Sequence, residues 1–163
     1  WELCNQFAMD IDAPHEKSLF YMTDHVIDPD ERLAARALLN AQGFFRSLPV
    51  VEGAQAGVDK LLADGHDVWI CTRPARENRT CRDEKYAWVI EHFPELQDKL
   101  IIAYDKSCAR GDILLDDAPT LTQAARALWK PVIFTTTYNG PGTEWADLPH
   151  WDWTSDRPLV EMI

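Results

Sequence analysis

Basic residues are scarce in this chain. Sixteen Lys and Arg face 27 Asp and Glu, a formal net charge of -11, which works against a polyanion such as DNA or RNA because those partners are held by clustered cations. A small phosphate ester is not excluded, since its charge can be met locally by a metal ion and one or two lysines. No apolar stretch approaches the ~20 residues of a membrane-spanning helix, and no charged-then-apolar leader opens the sequence. The expectation is a cytoplasmic protein without membrane contact. The four cysteines, Cys4, Cys71, Cys81 and Cys108, form no C-x-x-C pair and have no His at zinc-finger spacing. They read as reduced thiols, Cys71 as a small core residue of a strand. Internal repeats and low-complexity tracts are also absent. At 163 residues the chain suits one domain with one core, burying about two-thirds of its unfolded surface.

The remaining signals gather around Tyr104 to Pro119. Ile113, Leu114 and Leu115 form a short apolar run that reads as a buried parallel strand, and it ends on two acids, Asp116 and Asp117. In open α/β sheets ligands sit outside the carboxyl edge of the strands, and hard carboxylate oxygens there suit Mg²⁺, which binds through one or two acids plus substrate phosphate. Lys106, on the preceding loop, supplies the charge a phosphate needs. A second strand, Val68 to Cys71, ends on Thr72-Arg73-Pro74 and repeats the geometry, with a hydroxyl and backbone N–H groups able to hold phosphate oxygens.

In order, Trp1, Cys4, Phe7 and Ala8 have helical spacing and give way to a polar loop, Asp10-Ile11-Asp12-Ala13-Pro14. Asp28-Pro29-Asp30-Glu31 is a helix start, with Asp28 as N-cap and Pro29 at the first position, for a helix running to near Gly43. A helix carrying Val58, Leu61 and Leu62 stops at Gly65. After the Val68 strand come a helix over 84–93, a short strand over 100–103, the focal strand, a helix over 121–128 and a last strand over 132–134. Strands alternating with helices predict a parallel sheet with right-handed crossovers. The aromatic tail, Trp145, Trp151 and Trp153, is expected to pack over the sheet edge.

Taken together, Ile-Cys-Thr-Arg-Pro (70–74), Glu-Lys-Tyr-Ala-Trp-Val (84–89), Asp-Lys (105–106), Gly-Asp-Ile-Leu-Leu-Asp-Asp (111–117) and Phe-Phe-x-x-Leu followed by Glu-Gly-Ala (44–54) resemble the 5′(3′)-deoxyribonucleotidases of the haloacid dehalogenase superfamily. The resemblance implies a single α/β domain over 1–163. Its core, roughly 51–163, would be a Rossmann-like parallel sheet flanked by helices, and a small helical cap, roughly 14–50, would be inserted before Thr72. It further implies that Thr72 and Lys106 bind the phosphoryl group, that Asp116 acts with them in catalysis, and that Asp117 with Asp116 carries Mg²⁺. Lys85 and Arg73 would lie on the substrate side, and the cap aromatics Phe20, Tyr21 and Phe44 would meet the base. The substrate would be a nucleoside monophosphate, and a homodimer is compatible with the pattern.

The chemistry implied is phosphomonoester hydrolysis through an aspartyl-phosphate, in which one Asp attacks phosphorus and a second, two residues on, handles the proton. That Asp-x-Asp must follow a buried apolar strand. Asp10-Ile11-Asp12 instead follows helical spacing and precedes an X-Pro step, so both acids are expected in a loop, and the nucleophile well upstream of Trp1. The alternative is a relative that binds nucleotide or phosphate without turnover.

Overall fold

The computed structural model describes residues 28–136 and 138–163. The expected N-terminal helix, the Asp10-Ile11-Asp12 loop and the cap aromatics Phe20 and Tyr21 lie outside the described residues. The first described helix, α1 (Pro29–Leu39), starts as its sequence dictates. The Asp28 carboxylate accepts from the backbone N–H groups of Asp30 (2.9 Å) and Glu31 (3.0 Å), and Pro29 occupies a position with no N–H to satisfy. The helix ends four residues short of Gly43, because side chains of the core capture the segment that would have continued it. Asn78 donates to the carbonyls of Leu39 (3.0 Å) and Ala41 (3.2 Å), and Gly43 turns the chain at a φ of 92°.

Helix α2 (Ala54–Ala63) follows Gly53 and closes near Gly65, and it packs the half-buried Ala54, Val58 and Leu62 against the cluster at the end of α3 (Cys81–His92). Val89, Phe93 and Leu96 form the centre of this layer, with Ile70 and Leu100 from the strands beneath. Leu96 is fully enclosed, which at the usual coefficient contributes about 1.5–3 kcal/mol. The sheet under these helices is a pair, β1 (Ile70–Thr72) and β2 (Leu100–Ile102), parallel, with Ile70 opposite Leu100 and Thr72 opposite Ile102.

The second half is a three-stranded parallel sheet in the order β3-β4-β5. Strand β3 (Ile113–Asp116) pairs with β4 (Lys130–Phe134), Leu115 opposite Val132 and Asp116 opposite Ile133. Between them lies α4 (Leu121–Ala124), a single turn where the apolar spacing predicts a helix to Leu128, and Leu128 itself is largely exposed. The Trp tail does more than pack. His150–Trp151 forms β5, a parallel addition to the outer edge of β4, and Trp153 lies against α2, where a Cβ on Gly57 would come within 2.0 Å of its ring. The single continuous sheet of the sequence reading is thus two sheets among the described residues, and neither β1 nor β3 has a strand partner on its other edge there. No helix among the described residues is long and apolar enough to cross a membrane.

Candidate active site

Four strand-end segments converge from the two sheets. Strand β1 delivers Thr72. Lys85, on the first turns of α3, donates from its ammonium to Thr72 Oγ1 (2.7 Å), so the helix lysine and the strand-end hydroxyl form one polar unit. Burial, with the nearby charge of Lys106 adding to it, holds the Lys85 ammonium below the ordinary lysine range. Such a cation gains from an anion more than an exposed lysine does, because less water competes for it.

Lys106 arrives on a 3₁₀ turn (Lys106–Cys108) after β2, and that turn is fixed from three directions. Asp105 caps it by accepting from Ser107 N–H (3.0 Å), the Lys106 N–H donates to Gln123 (3.0 Å), and the indole of Trp129 donates to the Lys106 carbonyl (3.0 Å). The ammonium then crosses to the other sheet and pairs with the Asp116 carboxylate, with side-chain exposures of only 18% and 8%. The lysine expected to face a phosphate therefore stands on a carboxylate in this structure. A phosphate entering here would find a cation already oriented, and would have to share it.

Asp117 is held by a segment that local sequence does not reveal. The Tyr138 hydroxyl donates to its Oδ2, and the fully buried Asn139 donates to its carbonyl (2.9 Å) and to that of Phe134 (2.8 Å) while accepting from Thr136 N–H (2.9 Å). Burial drives the Asp117 carboxyl above the ordinary aspartate range and the Asp116 charge adds to the rise, with Tyr138 opposing both. Burial and the Asp117 charge in turn raise the Tyr138 phenol.

The remaining expected site residues divide. Arg73 donates to Thr120 Oγ1 (3.0 Å) across the seam between the sheets. Phe44 packs with Leu38 and Leu39 around buried Ala35 and meets Phe45 edge-on at 5.1 Å. Phe45 is the aromatic nearer the polar groups: the Lys85 ammonium lies 5.1 Å from its ring centre. It is pinned there by Glu84, a buried acid that accepts from the N–H groups of Gly43 (2.7 Å) and Phe45 (2.9 Å) and from the Thr80 hydroxyl. Phe20 and Tyr21 lie outside the described residues. Beside Phe45 opens a cleft of about 280 Å³ whose other walls are Arg36, Leu39, Asn40, Ala75, Arg76 and Glu77. Arg76 stacks on Tyr104 at 4.4 Å and Arg82 faces the same ring at 5.6 Å, so this acidic chain has a local basic rim here.

Among the described residues no three His, Cys, Asp or Glu side chains cluster as a ready metal cage. The donor chemistry nevertheless suits Mg²⁺, which takes one or two carboxylates and completes its shell with water and phosphate. Asp116 and Asp117 are adjacent, largely buried and mutually repelling, a charge pattern that a divalent cation relieves.

The ends of the parallel strands thus gather a hydroxyl, two acids and Lys106, with Lys85 reaching in from α3, in an α/β fold. Comparison with known proteins agrees. The family model described as 5′ nucleotidase, deoxy (pyrimidine), cytosolic type C protein matches residues 5–156, and the chain belongs to this family, within the haloacid dehalogenase superfamily. A Bordetella pertussis protein provisionally named 5′(3′)-deoxyribonucleotidase is 41% identical over 149 residues, 91% of this chain and 78% of its own length. A Bordetella bronchiseptica protein with the same provisional name is 42% identical over 133 residues, 81% of this chain and 70% of its own. The human cytosolic-type 5′(3′)-deoxyribonucleotidase is 34% identical over 115 residues, 68% of this chain and 57% of its own.

Proposed function

We propose that the chain is a phosphomonoester hydrolase acting on (deoxy)nucleoside monophosphates. The observation that carries this reading is the placing of two half-buried cations, Lys85 on Thr72 and Lys106 on Asp116, with Lys85 also facing Phe45 in the wall of a cleft of about 280 Å³, in a chain of this family. Thr72 and Lys85 hold phosphate oxygens. Lys106 offsets charge on the transferring group, and Asp116 orients that lysine. Phe45, with the cleft beyond it, receives the apolar faces of the base.

Asp116 and Asp117 are the residues that would hold Mg²⁺, which when bound supplies charge neutralisation for phosphoryl transfer. Hydrolysis through an aspartyl-phosphate would need an attacking carboxylate in addition to these residues.

The test is phosphate release from a panel of deoxynucleoside and ribonucleoside monophosphates, with p-nitrophenyl phosphate alongside, in Mg²⁺ and in EDTA. Mg²⁺-dependent release with kcat/KM far higher for nucleotides than for the artificial ester is expected. Binding of nucleotide without turnover would instead establish the non-catalytic alternative, and equal kcat/KM on all esters would remove the nucleotide assignment.

A further inference from the structure

We propose that Tyr138 is a positioning residue for the divalent cation, acting through Asp117. This inference rests on the assignment of Asp116 and Asp117 as the cation's ligands.

The loop after β4 touches Asp117 twice and from two directions. Tyr138 donates its hydroxyl proton to Oδ2 of the carboxylate, and its neighbour Asn139 donates to the Asp117 carbonyl while binding the loop to itself through Phe134 and Thr136. Asn139 is fully buried and fully occupied by these bonds, so the loop has little freedom to move away. One contact therefore fixes the backbone from which the Asp117 side chain springs, and the other fixes the side chain itself. Asp116 is managed separately, by Lys106 on one oxygen and by the Ala118 N–H (3.0 Å) on the other.

This matters because a carboxylate that serves a cation must present its oxygens in one direction, and a side chain at a strand end is otherwise free to rotate. A donor aimed at Oδ2 from a loop that is itself tied down restricts the carboxylate to one orientation. Partners that hold a metal-binding carboxylate from behind change metal affinity by about 10–100-fold when removed. Tyr138 has that relation to Asp117, and a sequence reading centred on 104–119 has no means of finding it.

The experiment compares the full chain with Tyr138→Phe and with Tyr138→His, whose ring retains an N–H donor. Mn²⁺ binding is read by electron paramagnetic resonance without substrate, thermal unfolding is read without metal, and the Mg²⁺ concentration for half-maximal activity is read with the nucleotide at saturation. Tyr138→Phe is expected to weaken Mn²⁺ binding about tenfold and to raise the Mg²⁺ requirement in parallel, leaving nucleotide KM within about twofold and the melting temperature within a few degrees. Tyr138→His is expected to recover part of the loss. A folded Tyr138→Phe with unchanged Mn²⁺ affinity overturns the inference and leaves the site assignment standing. Absence of Mn²⁺ binding by the unmodified chain overturns both.

Discussion

Glu84 offers the sharpest check on how the cleft is built. Its carboxylate is buried at 7% exposure, and among the described residues it forms no ion pair. It accepts instead from two backbone N–H groups of the 43–45 loop and from the Thr80 hydroxyl. Burial alone would raise this carboxyl, but the bonds from Thr80, Gly43 and Phe45 outweigh it and hold it below the ordinary glutamate range. Hydrogen bonds to a charged acceptor contribute about 1.5–3 kcal/mol each, and an orphaned buried donor costs about 1–3. Glu84→Gln keeps one oxygen but turns an NH₂ toward one of the two N–H groups, so one bond is lost and two donors face each other. We expect a loss of about 2 kcal/mol, a fall in melting temperature of roughly 4–8 °C at this chain length.

Because the folded pKa lies below the unfolded value, the contribution of the carboxylate is present above the unfolded pKa and disappears as pH falls through the folded one. The difference between wild type and Glu84→Gln should therefore be full at pH 7 and shrink below the ordinary value of 4.5. Loosening the loop also releases Phe45, so KM for a nucleoside monophosphate should rise several-fold while kcat changes less. Calorimetric melts at pH 7 and pH 4, with steady-state kinetics, read all of this. A Glu84→Gln protein with wild-type melting temperature and KM at pH 7 would refute the clamp.

Three further outcomes follow from the same contacts. Lys85→Met should leave the melting temperature unchanged or raise it, since a partly buried ammonium is replaced by an apolar side chain of similar shape, yet weaken inhibition by inorganic phosphate about tenfold or more; unchanged phosphate inhibition would make the lysine structural. Phe45→Ala should raise nucleotide KM with little effect on p-nitrophenyl phosphate, whereas Phe44→Ala should lower the melting temperature and affect both substrates alike; the reverse pattern would exchange their roles. Gly57→Ala should be destabilising by about 1–3 kcal/mol although alanine is the better helix former by about 1 kcal/mol, because its methyl collides with Trp153; a more stable variant in thermal melts would show that the tail does not press on α2.

Legibility in the sequence tracks the range of the interaction. The Asp28 cap and the Ile113 to Asp116 strand depend on residues a few positions apart, and they are readable because the chemistry is local. The end of α1 is not readable, since Asn78 and Glu84 set it from about forty residues away. Tyr138 and Asn139 fail for the same reason: nothing around them marks a loop that reaches back to Asp117. Glu84 is visible as part of a family motif but not as a clamp, and the motif directs attention to Phe44 when the clamp serves Phe45. Strand β5 is two residues long, too short for an alternating pattern to register.

The site lies across the seam between two sheets that no strand ladder joins among the described residues. Its polar contacts carry the connection instead: Lys106 from the β2 side to Asp116 at the end of β3, and Arg73 after β1 to Thr120 before α4, with Trp153 pressed onto α2 from the far end of the second sheet. Two of these are exchangeable, since an ammonium that satisfies a carboxylate can satisfy a phosphate and a guanidinium that holds a hydroxyl can hold an oxyanion. The Trp153 contact is not exchangeable, because it is shape against a glycine. The geometry thus separates what fixes the two halves from what a ligand can take over, and a phosphate reaching Thr72 and Lys85 on one side and Lys106 on the other would tighten the seam it binds in.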